Sequence, residues 1–177
     1  KSSFACDIGT YNTLKCLELA LHDGFDQMTN RQVGPHTGKP EKLDSFGKLY
    51  EAWIAQAEHA ISVGVGINNK DHDLRKDFCS CIRSALTSDC VEKGRHLFLG
   101  GAKYYAVQNE VVGLTNTANS LLAVKQVVFD ETRLTLTELV SILDRNFEDE
   151  NELRRYRINR VPKFGNGDAK ADDLRVR

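Results

Sequence analysis

Apolar residues recur along most of this chain at the three- and four-residue spacing of amphipathic helices. The longest stripe is Phe46, Leu49, Tyr50, Trp53, Ile54, Ala57, Ala60 and Ile61, which predicts a helix with one buried face. Asp44 or Ser45 stands where an N-cap is needed. Gly64 and Gly66 weaken its far end, and Asn68-Asn69 predicts its stop. Leu14, Leu17 and Leu21, with Ala20, predict an earlier helix that closes near His22, ahead of Gly24. Residues 77–93 read as another helix, ended by Gly94. Three more are expected later. One runs from about Asn116 to Phe129. The next opens on Thr135-Leu136-Thr137-Glu138, a capping box, with Leu134 and Leu139 placed as a hydrophobic staple and Leu136, Leu139, Val140, Leu143 and Phe147 as its buried face. The third, over about Glu150–Asn159, is charged and belongs on the surface.

Between the helical stretches lies Gly100-Gly101-Ala102-Lys103-Tyr104-Tyr105, running on to Gly113-Leu114-Thr115-Asn116. It reads as a glycine turn, an extended segment near Tyr104–Val107, and a second glycine break into a helix. Residues 1–10 read as loop and 24–42 as a long polar turn region. The expected fold class is therefore α/β, mainly helical, with one or two short strands. A lone strand is unstable, so its partners are expected outside this chain.

The chain has 177 residues, of which 41% are hydrophobic, enough for one domain with a sizeable core. Basic and acidic residues number 24 and 25, a balance that gives no electrostatic reason to expect nucleic acid or an anionic membrane as partner. No apolar run approaches the roughly 20 residues that span a bilayer. There is no initiator Met and no signal-peptide pattern, and the end near Asp172–Arg177 reads as the start of a further helix. A segment of something longer is expected. The five cysteines, Cys6, Cys16, Cys79, Cys81 and Cys90, suggest reduced thiols and a cytoplasmic setting. Cys79-Ser80-Cys81 lacks a second ligand pair and reads as packing rather than metal.

Local chemistry is sparse. His22, His36, His59, His72 and His96 are scattered, and Asp71-His72-Asp73 reads as a solvated helix start. Gly64-x-Gly66 lacks the third glycine of a dinucleotide loop. Cys90-Val91-Glu92 reads as a buried Cys beside an exposed Glu. No metal site and no catalytic residue is assigned within the chain.

The spaced motifs together do resemble a family. Asp89-Cys90-Val91, Gly100-Gly101-Ala102-Lys103-Tyr104, Val112-Gly113-Leu114-Thr115-Asn116 and Ser120-Leu121-Leu122-Ala123-Val124-Lys125 are similar in order and spacing to the glycyl radical enzymes, the superfamily of pyruvate formate-lyase and the glycerol and choline lyases. The segments Leu17–Gly24, Gln32–Gly38 and Pro162-Lys163-Phe164-Gly165-Asn166 extend the resemblance over nearly the whole chain. Three positions depart from the pattern: Glu110-Val111 stands for Gln-Gly, Asn119 for Asp, and Cys79-Ser80-Cys81-Ile82 for a Pro-x-Pro-Phe segment.

The resemblance implies that residues 1–177 are an internal segment of one pyruvate formate-lyase-type domain, part of a ten-stranded α/β barrel with long outer helices, with no complete second domain. It implies a full-length lyase or dehydratase that cleaves a C–O, C–N or C–C bond of a small substrate by radical chemistry. The radical would reside on a glycine installed by an S-adenosylmethionine/iron–sulfur activating enzyme, which would be a partner, as would the remainder of the polypeptide and, in a homodimer, a second copy. The cysteine loop and the glycyl loop of the family are not found in this sequence, so the segment alone is expected to be inactive and to bind no cofactor itself. Cys90-Val91-Glu92 resembles the lettering of the cysteine loop but stands in the helical context. In the dehydratase-like members an aspartate just before the first helix holds a substrate hydroxyl. Asp7 matches that position, and Cys6 and Thr10 are further candidates to line the pocket. The alternative reading is a non-catalytic helical scaffold or interaction module derived from the same family.

Overall fold

The computed structural model describes residues 4–169 and 171, with the backbone alone for residues 4–8. Mainly helical α/β structure is what it shows. The chain divides into two compact bodies, one of residues 1–11 with Ile61–Val111, the other of Asn12–Ala60 with Val112–Arg177.

In the second body, helix α1 (Thr13–Leu21) starts where Asn12 turns its side chain back to cap the amides of Leu14 and Lys15. It meets the expected helix closely. Its Leu17, Ala20 and Leu21 enter a core with Leu49 and Ala52 of helix α2 (Phe46–Arg75), Leu121, Val124 and Val128 of the segment after Gly113, and Leu136, Leu139 and Val140 of a later helix. Between α1 and α2 the polar region forms a small antiparallel hairpin, β2 (Phe25–Asp26) on β3 (Arg31–Gln32). Gln56 of α2 is buried and donates to Pro35 O and Thr37 Oγ1, which pins the following loop to the helix.

The first body holds the departures from the sequence-based expectation. Residues 4–12 are not loop but strand β1 (Phe4–Asn12), and it pairs with strand β4 (Tyr105–Val112). The extended segment thus starts later than Tyr104 and has a partner within the chain. Gly9 and Asp7 masked the strand, because both residue types are depleted in strands. Helix α2 does not stop at Asn68-Asn69. Asn68 is buried and donates to Asn109 Oδ1 at 2.6 Å, and Gly64 leaves room for the Tyr11 ring. Tertiary contacts outweigh the weak propensity of glycine and asparagine. Residues 77–93 form two short helices, α3 (Cys81–Ala85) and α4 (Cys90–Lys93), split at Asp89, which has a left-handed φ of 73°. Cys90 is buried against Leu97, Phe98 and Ala102, while Glu92 is exposed, as the sequence suggested. Cys79 and Cys81, by contrast, are exposed and do not pack.

Returning to the second body, α5 (Leu114–Val124) runs into a wider turn over Lys125–Asp130, closed by Glu131 N–H on Gln126 O. Helix α6 (Leu136–Asp144) carries the expected capping box, with Thr135 Oγ1 accepting from Glu138 N–H. Phe147 lies beyond its end, in a turn where its φ is 59°. Helix α7 (Asn151–Asn159) has no buried residue. It is held through Tyr156, whose hydroxyl donates to Glu131, and Arg133 lies 3.8 Å from the Tyr156 ring. Hydrogen bonds from Gln126, Tyr156 and Arg133 hold the Glu131 carboxyl at about 2. That is below an unfolded glutamate, near about 4.3, so the stabilisation is present above that value and is lost as pH falls towards about 2. Thermal melts of Glu131→Gln between about pH 5 and 2 are expected to show a shallower acid decline than the parent. An unchanged slope would dismiss this anchor.

Candidate functional site

The β1–β4 pair places the candidate residues. Gly9 lies against Asn109, and Asn12 against Gly113, so the contacts advance together along both strands, which run parallel. Each then turns directly into a helix. Gly113 has φ +80°, and an added Cβ would stand 2.9 Å from Asn12 Oδ1, so glycine suits both the backbone and the contact. Thr13 Oγ1 lies 3.0 Å from Val112 O and 2.9 Å from Thr117 Oγ1, which is 3.0 Å from Gly113 O. Two hydroxyl protons are shared among these three contacts, so at any moment two of them are hydrogen bonds that tie the strand-to-helix turns. Trp53 Nε1 donates to Thr13 O from α2.

One face of the strand pair meets α2. Tyr11 lies on Gly64, Asn109 on Asn68, and Tyr105 on His72, with ring centroids 5.6 Å apart. His72 therefore sits in the last turn of α2 against an aromatic ring, not in a solvated helix start. A cavity of about 340 Å³ lies here, lined by Asn68, Asn69, His72, Tyr105 and Asn109 among others. Along β4 the alternate residues Ala106, Gln108 and Glu110 stand on the other face, all exposed, and Thr10 is exposed on β1.

Cys6 and Asp7 lie on β1, and their side chains are outside the described residues. Glu110 and Gln108 were not picked out as site residues from the sequence. Glu110 carried a signal, as a departure from the family's pattern, but its position beside Thr10 needed the strand register.

The spaced motifs are mostly structural here. Gly101 lies directly on the Arg95 and His96 carbonyls, which brings Ala102 down onto Cys90. Asn119 Oδ1 accepts from Phe164 N–H at 2.8 Å, joining the Ser120 motif to the Pro162–Asn166 motif. Asp23, which burial alone would push up, is held low by His36 and the Gly38 amide, fixing the loop that follows the hairpin. Among the described residues no group of three or more His, Cys, Asp or Glu converges as metal ligands would, and no helix is long and apolar enough to cross a membrane.

Residues 1–177 match the family described as pyruvate formate lyase-like. The chain belongs to that family. It is 33% identical over 167 residues to the trans-4-hydroxy-L-proline dehydratase of Clostridioides difficile, covering 94% of this chain and 21% of the relative. The structure of hydroxyproline dehydratase from the same organism, with trans-4-hydroxy-L-proline bound, superposes with a TM-score of 0.87 at 32% identity over 94% of this chain and 21% of that one. The glycerol-bound B12-independent glycerol dehydratase from Clostridium butyricum gives 0.85 at 31% identity, over 96% and 22%. The chain thus spans about a fifth of the length of these relatives.

Proposed function

We propose that this chain is the inner part of a glycyl radical lyase of the dehydratase type, acting in the full-length protein on a small hydroxylated substrate. The observation that supports it most is the parallel β1–β4 pair, each strand feeding a helix through a tied turn, within a match to a dehydratase structure over 94% of the chain. In this reading β1 and β4 are two staves of a ten-stranded barrel, and α1, α2 and α5 belong to its outer layer. Asp7 accepts a hydrogen bond from a substrate hydroxyl, which a carboxylate does strongly in a site with little water. Cys6 and Thr10 line the same pocket. The glycyl radical, installed by an S-adenosylmethionine-dependent activating enzyme, supplies hydrogen abstraction from loops elsewhere in the polypeptide. The segment's own task is to hold the carboxylate still and keep the barrel wall closed, and alone it is inactive.

The test is anaerobic activation followed by EPR and a dehydration assay on vicinal diols and hydroxylated amino acids. The full-length protein is expected to show a glycyl doublet and to release water from such a substrate, and the 177-residue chain to show neither. A doublet on the chain alone would overturn the placement. A full-length protein that takes no radical would favour the scaffold reading, for which the departures at Glu110, Val111 and Cys79–Cys81 speak.

A further inference from the structure

Cys79 and Cys81 take no part in the reading above. Their Sγ atoms are 3.2 Å apart, and both side chains are exposed. The backbone on either side is fixed. Helix α2 ends at Arg75 in a turn that carries Phe78 N–H on Arg75 O, and α3 opens with Ser84 N–H on Ser80 O at 2.8 Å. Two thiols are thus held in contact by the turn between two helices, and about 1 Å of approach separates them from a covalent bond. The other described cysteines, Cys16 and Cys90, are buried, and burial pushes the Cys16 thiol up.

We propose that Cys79 and Cys81 form a thiol–disulfide exchange site, which takes a low-molecular-weight disulfide as oxidant and closes to an intrachain disulfide. The Cys81 thiolate attacks one sulfur of the small disulfide. One small thiolate leaves, and a mixed disulfide forms on Cys81. Cys79 then loses its proton, attacks the Cys81 sulfur, and expels the second small thiolate. Two protein thiols are oxidised, one small disulfide is reduced to two thiols, and the two protons end on the leaving thiolates. Cys81 is written as the first nucleophile because the hydrogen bond with Cys81 raises the Cys79 thiol. Substituting cysteine at both proline positions of the family's Pro-x-Pro-Phe segment is what gives this chain the pair.

The probe is oxidised glutathione, added to the native protein before blocking of free thiols and tryptic digestion. Cleavage after Lys76 and Arg83 releases residues 77–83 as one peptide. It is expected to be lighter by two hydrogens with no glutathione attached, while Cys16 and Cys90 are recovered as blocked thiols. Cys79→Ser should trap one glutathione on Cys81, and Cys81→Ser one on Cys79, both at unchanged circular dichroism. The synthetic peptide of residues 77–83 is the reference, and the folded protein should favour the disulfide over it by about tenfold or more. Two glutathiones per chain, an unmodified peptide, or equal equilibrium constants for protein and peptide would each overturn the proposal.

Discussion

Asparagine in place of Asp7 is expected to lower dehydration turnover of the full-length protein about 100-fold, with the glycyl radical signal unchanged. The reasoning starts from charge. A carboxylate accepting a hydroxyl proton makes a charge-assisted hydrogen bond worth about 1.5–3 kcal/mol. Asparagine keeps the shape but presents a neutral oxygen. Where that bond strengthens as the hydroxyl's carbon loses its neighbouring group, its loss falls on kcat rather than on KM. At about 1.36 kcal/mol per decade, a loss near the upper end gives about two decades. Radical content reads the activation step separately, so a structural failure would reduce the doublet as well. A variant with full radical and full turnover would remove Asp7 from the site and leave the open face near Thr10 and Glu110 as its location.

The second large effect is on stability. Gly101→Ala is expected to cost about 3 kcal/mol, near the upper end for overpacking. The added Cβ would meet the Arg95 carbonyl oxygen, with Arg95 C at 2.8 Å and His96 O at 2.9 Å. These are backbone atoms, which no rotamer change can move aside. The same turn carries Leu97, which is fully buried, and sets Ala102 against Cys90, so relief at Gly101 would loosen that small core. Gly66→Ala is the control. It lies inside α2 with nothing within 4 Å of an added Cβ, and should stabilise by about 0.5–1 kcal/mol. Differential scanning calorimetry checks both, with an expected fall of roughly 10 °C for Gly101→Ala. Equal melting temperatures for Gly101→Ala and the parent would refute the clash.

Periodicity and caps recovered the second body well. The stripe from Phe46, the Leu17–Leu21 face and the Thr135–Glu138 box all follow from contacts within one turn of helix, where neighbouring residues carry the signal. The first body was less legible. Phe4–Asn12 looked like loop because its strand is stabilised by pairing to residues about 100 positions away. Helix α2 outran its predicted stop for the same reason, since Asn68 gains a buried partner in Asn109. The exposed thiol pair was misread as packing, because C-x-C spacing alone gives neither burial nor separation.

The family, the motif order and the helical faces were determined by the sequence itself, because each rests on local spacing. The tertiary structure alone decided that the central extended segment is a strand with a partner, β4 on β1. It also decided that Gly64 makes room for Tyr11, and that Gly113 ends β4 against the Asn12 cap. Those outcomes depend on which surfaces meet, and a linear pattern of polar and apolar residues does not encode which distant strand fills an open edge.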